Sequence, residues 1–173
     1  MRSVERASFG NMGCSIARAL ERVGEWWTLL ILRDVFHGIR RFDDFQSNLG
    51  ISTNVLADRL AKLVGAGILE KSRSAEDGRS FEYRLTGKGT DLYPVLVALA
   101  VWGDRWEGDP RGPRLRLVEG DSGRAVPPIV LRAADGRILQ PHQVVPVAGP
   151  GADADTRRLL AFGDGTRGPA RPD

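Results

Sequence analysis

Arg41-Phe42-Asp43-Asp44-Phe45-Gln46-Ser47-Asn48-Leu49-Gly50-Ile51-Ser52-Thr53-Asn54-Val55-Leu56-Ala57-Asp58-Arg59-Leu60-Ala61-Lys62-Leu63-Val64-Gly65 holds two apolar stripes separated by a glycine. Phe42, Phe45 and Leu49 recur at three- and four-residue spacing, which predicts a short helix over 41–49 with one face to bury. Ser52 suits an N-cap, Leu56, Leu60 and Leu63 repeat the helical spacing, and Gly65 and Gly67 mark the stop. Only the Gly50-Ile51 turn lies between them, so the stretch reads as two short helices flanking a tight turn.

Upstream, Ile16, Leu20 and Val23 predict a helix closed by Gly24, and 25–37 carries Trp27, Leu30, Ile31 and Val35 before Gly38. Downstream the period changes. Residues 68–73 read as a strand, Ala75-Glu76-Asp77-Gly78 as a turn, and Phe81, Tyr83 and Leu85 as an alternating return strand. Thr86 can cap a last helix striped by Leu92, Leu96, Leu99, Trp102 and Trp106, with Pro94 bending its early turns. The order predicts a mainly α fold with a small β wing (α+β), a winged helix-turn-helix.

Composition sets the outer bounds. The 173 residues are 42% hydrophobic and 27% charged, enough apolar content for one packed domain or a small domain with an appendage. No apolar run approaches the roughly 20 residues of a membrane span, and 1–13 lacks the core of a secretory signal, so the expectation is a cytoplasmic protein without membrane contact. Cys14 is the sole cysteine, so no intrachain disulfide can form and a thiolate-rich zinc site cannot be built from it and two histidines. No cofactor is expected, and neither is an enzyme: there is no glycine-rich phosphate loop and no Ser/His/Asp set in a recognisable context.

Nine of ten prolines follow Glu107, while eleven of twelve aromatics and all three lysines precede it. The chain is therefore divided into an arm (1–13), the winged domain (14–107), a β-rich appendage (108–162) and a flexible tail (163–173). Alternation in 114–118 and short apolar runs at 129–131 and 144–147 predict two small hairpins in the appendage.

A turn-linked helix pair followed by a wing presents its second helix to a DNA major groove and its hairpin tip to the backbone or minor groove. The solvent side of that helix carries Asn54, Ala57, Asp58 and Ala61, with Ser52 and Thr53 at its start, residues suited to base edges and a phosphate. The same pattern also suits a merely solvated face. Arg59 lies nearer the packed side, where an ion pair with Asp43 or Asp44 competes with DNA contact. Arg40, Arg41, Lys62, Lys71, Arg73 and Arg79 are candidates for phosphates or the minor groove, in a chain of net charge +3 whose basic residues are nearly all arginine.

Cys14-Ser15-Ile16, Gly24-Glu25-Trp26-Trp27-Thr28-Leu29-Leu30-Ile31-Leu32-Arg33, Gly38-Ile39-Arg40-Arg41-Phe42, Ile51-Ser52-Thr53-Asn54-Val55-Leu56 and Phe81-Glu82-Tyr83-Arg84-Leu85-Thr86 resemble the HxlR-type winged helix-turn-helix transcription regulators of the MarR-like group. The resemblance covers about 14–106. It implies a homodimeric regulator on double-stranded, pseudo-palindromic operator DNA, a repressor tuned by a small-molecule effector or by Cys14, with part of the Leu92, Leu96, Leu99, Trp102, Trp106 stripe at the subunit seam. An intrachain core is the other reading of that stripe, and a protein-docking module without specific DNA binding the other reading of the fold.

Cys14 matches the family's N-terminal cysteine, a thiol sensor in some members; a small packing residue is the alternative. Ser15 stands where the family usually has proline. Trp26, where the family usually has lysine, either lines a ligand pocket beside the last helix or packs in the core or seam. Glu119-Gly120-Asp121-Ser122-Gly123 and Arg132-Ala133-Ala134-Asp135-Gly136 resemble the knuckles of a zinc-ribbon-like extension whose thiolates have become Ser122, Arg132 and Asp135, so the appendage is expected to be metal-free.

Overall fold

A computed structural model describes residues 9, 12, 14–75 and 77–164. Most of the expected arm, Glu76 of the turn and residues 165–173 of the tail lie outside the described residues.

The apolar stripes become helices α1 (Ser15–Val23), α2 (Trp26–Phe36), α3 (Phe42–Leu49) and α4 (Thr53–Gly65). Strands β1 (Leu69–Arg73) and β2 (Phe81–Leu85) pair antiparallel in the register Leu69 to Leu85 and Arg73 to Phe81. Their hairpin is the expected wing. Gly50 ends α3 at φ +61°, a left-handed conformation that costs other residues about 1 kcal/mol, which is why the turn carries a glycine. The core gathers Ile31, Leu32 and Val35 from α2, Phe45 from α3, Leu56, Leu60 and Leu63 from α4, and Leu69 and Tyr83 from the wing. At about 1.5–3 kcal/mol for each large apolar side chain removed from water, this cluster fixes how α4 and the wing sit.

The last helix departs from expectation. Thr86 caps only a single turn, α5 (Gly87–Thr90), through a bond from Gly89 N to its hydroxyl at 3.1 Å, and α6 (Tyr93–Trp106) begins separately with Pro94 in its first turn. Two glycines weaken the helix before the proline, and proline is tolerated in a first turn where its missing N–H has no helical acceptor. Pro94 starts a helix instead of bending one. Gly89 cannot be replaced cheaply, because a Cβ there would stand 2.2 Å from the Ile68 carbonyl oxygen.

The expected β appendage is also revised. Among the described residues after Glu107, pairing is reduced to the single bridges Val118 to Ala125 and Arg132 to Ile138, each closing a reverse turn near an expected hairpin. Arginine side chains occupy those turns: Arg124 reaches Glu119 at 3.2 Å, and Arg132 donates to the Gly136 carbonyl at 2.8 Å. Nothing pairs as a strand at 144–147, and a helix, α7 (Ala154–Asp164), occupies residues expected to be β appendage and tail. Its start is marked by Asp153, whose carboxylate accepts from Thr156 N at 2.8 Å.

The described residues fall into two compact units, residues 22–129 and residues 1–21 with 130–173. Residues 108–129 thus group with the winged core. No helix among the described residues is long and apolar enough to cross a membrane.

Candidate nucleic-acid interface

Leu56, Leu60 and Leu63 face the core, so the helical period turns Ser52, Thr53, Asn54, Ala57, Asp58, Ala61 and Lys62 outward, all exposed. Ser52 occupies the N-cap position without a side-chain cap bond, leaving first-turn amides for an external acceptor. Gln46 of α3 donates to the Thr53 hydroxyl at 2.9 Å, tying the two helices of the pair together across the turn. Asp58 pairs with Lys62 at 2.9 Å on the exposed face, a contact that water and phosphate readily compete for.

Arg59 turns away from this face. Its guanidinium lies 3.3 Å from Glu25 at the start of α2, with the side chain only 16% exposed, and neither Asp43 nor Asp44 pairs with it among the described residues. Its ion-pair partners are therefore Glu25 and, at 3.7 Å, Asp58 of its own helix, not the carboxylates expected, and Nε is buried without a hydrogen bond.

Arg40 and Arg41 stand between α2 and the wing. The Arg40 carbonyl accepts from Tyr83 N at 2.9 Å and Arg41 forms a bridge with Glu82, so this pair adds a short third edge to the hairpin. Arg40 Nη1 donates to the Val35 carbonyl and, at 3.1 Å, to the Ile39 carbonyl, bracing the end of α2. Arg41 reaches the Ser74 hydroxyl at 3.4 Å.

On the wing, Lys71 lies 4.3 Å above the exposed Phe81 ring, and Arg73 stacks on the same ring while donating to the Gly78 carbonyl at 2.8 Å. Such exposed ring contacts favour cations lying against the hairpin by about 0.5–1 kcal/mol each. Arg79 sits at the tip, exposed, and among the described residues its guanidinium has no hydrogen bond or ion pair. Arg84, by contrast, is engaged by Glu82 at 2.7 Å. The Ser74 hydroxyl first, and Arg84 next, hold the Glu82 carboxyl below its usual range.

One element of the site escaped the sequence reading. Asp34 is 2% exposed, and its Oδ1 accepts from Arg33 Nε and Nη2 at 2.9 and 2.7 Å while Oδ2 accepts from Asn48 Nδ2 of α3 at 2.8 Å. This bridge positions α3 on α2. Its signal was a carboxylate in the apolar run Ile31 to Val35, where a buried charge must find donors. Cys14 precedes α1 directly, partly exposed, its carbonyl accepting from Arg18 N at 3.0 Å. Trp26 is 88% exposed.

The HxlR-like helix-turn-helix family profile matches residues 22–110. The chain belongs to this family. The HxlR-like chain is 41% identical over 142 residues to an uncharacterised HTH-type transcriptional regulator of Mycobacterium tuberculosis, Rv3095, covering 82% of this chain and 90% of that one. It is similar to the crystal structure of PA1607, a proposed transcription factor, with TM-score 0.75, 42% identity and coverage of 82% and 99% of the two chains. PA1374 of Pseudomonas aeruginosa, described in the same terms, matches with TM-score 0.58, 43% identity and coverage of 84% and 99%. The HxlR-like chain is a DNA-binding transcriptional regulator, and the relatives it matches are named HTH-type transcriptional regulators.

Proposed function

We propose that the protein is a homodimeric repressor that occupies a pseudo-palindromic operator with two copies of α4 and two wings. In this reading Ser52, Thr53, Asn54 and Asp58 meet base edges or adjacent phosphates. Arg40, Arg41, Lys62, Lys71 and Arg73 meet phosphates, Arg79 enters the minor groove, and Arg59 braces the reading helix through Glu25. The observation that carries it is the small, polar, outward face of α4 beside a wing tip whose arginine has no partner among the described residues.

The dimer rests on α6. None of its residues is buried, although Leu99, Trp102 and Trp106 expose 49%, 56% and 61% of their surfaces on one side. Exposed aromatic stripes of this kind mark interfaces, and a two-fold partner is the commonest solution. An effector, or modification of the partly exposed Cys14, changes the angle between the reading heads and so the match to half-site spacing. With one cysteine per chain, oxidation either joins two chains or caps the thiol. The appendage is a metal-free extension, a reading that stoichiometric zinc in purified protein would overturn.

The test is titration of fluorescent DNA from upstream of the protein's own gene, at two salt concentrations, beside an unrelated duplex of equal length. Tighter, salt-dependent binding to the upstream DNA is expected. Equal, weak binding to both, with no preferred sequence in a genome-wide selection, would overturn the repressor reading.

A further inference from the structure

A cleft of about 590 Å³ opens within the 22–129 unit, between the end of α2, one side of α6 and residues 113–128. Its size falls in the roughly 300–1,000 Å³ range of small-molecule sites. The walls are apolar: Leu96 and Val97 on α6 face Leu117 and Val126, and at one end the Phe36 and Tyr93 rings stand 4.7 Å apart. Among this apolar lining are three arginines, Arg33, Arg105 and Arg116, and one carboxylate, Asp104; Arg33 is already paired with Asp34 behind the lining, so Arg116 is the surplus cation. Arg116 has no hydrogen bond or ion pair among the described residues. A concave apolar surface with surplus guanidinium charge selects a ligand that is greasy at one end and anionic at the other.

The helical period separates this cleft from the proposed dimer seam. Tyr93, Val97, Ala100 and Asp104 fall on one side of α6, whereas Val95, Leu99, Trp102 and Trp106 fall on the opposite side. A second copy seated on the tryptophans leaves the cleft open. Trp26 does not line it.

We infer that the cleft binds an amphipathic organic anion, an aromatic or medium-chain carboxylate, with its charged end on Arg116 and Arg33. This names the effector chemistry of the proposed regulator and rests on that reading only for its regulatory consequence. That consequence follows from Arg33, which lines the cleft and also holds Asp34, the acceptor for Asn48 of α3. A carboxylate that draws Arg33 away loosens the bridge positioning the first helix of the reading pair.

The test is calorimetric titration of the full chain, without DNA, using 2-naphthoate and decanoate as probes and 2-naphthamide as the neutral counterpart of the first. Expected are one site per chain, a preference for 2-naphthoate over the amide of about tenfold or more, and a similar loss in Arg116→Glu. Ala100→Trp, which fills the cleft from an exposed helix position, is expected to remove binding of all probes while sedimentation shows the same oligomer as the parent chain. Binding of neither anion, equal binding of amide and carboxylate, or undiminished binding in Ala100→Trp would overturn the site. A change of oligomer in Ala100→Trp would assign the cleft to a copy-to-copy interface and overturn it as well. The DNA titration is then repeated with saturating 2-naphthoate: an unchanged operator affinity overturns the coupling through Arg33, whereas absence of specific DNA binding in the unliganded protein overturns the regulator reading and leaves the calorimetric result standing.

Discussion

Helices α4 and α6 are of nearly equal length, and the chain treats their apolar residues in opposite ways. In α4 the leucines Leu56, Leu60 and Leu63 are at most 1% exposed, while in the more apolar α6 nothing is buried. The first helix spends its apolar face inside its own domain and offers a polar face outward; the second keeps apolar surface on two sides. In the proposed function the first is presented to a polyanion, and the second to a second chain and to a ligand.

The sharpest way to break this contrast is to truncate one residue of each kind. Phe45→Ala, in the fully buried cluster under α4, is expected to lower unfolding free energy by about 3–5 kcal/mol in denaturant titration. Trp102→Ala is expected to leave the far-ultraviolet spectrum unchanged but weaken self-association by about 2 kcal/mol in sedimentation equilibrium, as for an aromatic interface anchor. If Trp102→Ala unfolded the chain as Phe45→Ala does, α6 would belong to an intrachain core and the contrast would fail.

Within the proposed DNA-facing surface the comparison can be made finer. Asn54→Ala is expected to change which base is preferred at one position of each half-site, by about 1–3 kcal/mol. Arg79→Ala is expected to weaken binding on all sequences alike and reduce the salt slope by about one. Competitive titration on a set of single-base operator variants reads both effects.

The smallest effect concerns the junction after α6. The Arg111 side chain, with its backbone N–H, holds the Asp109 carboxyl down at about 2, from an ordinary 3.8. A depressed folded-state value means that this carboxylate stabilises above about pH 4 and that its contribution disappears as pH falls towards 2. Melting temperatures of the parent and Asp109→Asn are thus expected to differ slightly at neutral pH and to converge on the acid side.

Sequence was most informative where a single period had a single customer. The stripes in 15–65 place α1 to α4 to within a residue or two, and the polar face of α4 follows from the same leucines that bury its other side. It was misleading where local signals competed. Pro94 within an apolar stripe suggested a bend, yet two upstream glycines let the helix stop and restart. In the appendage, short apolar alternations suggested strands where the described residues pair only through single bridges, while the Asp153 to Thr156 cap of α7 was masked by the surrounding glycines and prolines.

By itself the sequence determined the order of α1 to α4 and the wing, the core leucines and the polar outward face of α4, because these depend on spacing along a chain of known period. Only the tertiary structure decided that Arg59 answers Glu25, that Asp34 joins α2 to α3, and that the wall of 113–128 closes a cleft against α6. Those relations join side chains far apart in the chain or on different elements, and their energies arise from distance and burial, which no local pattern of residues encodes.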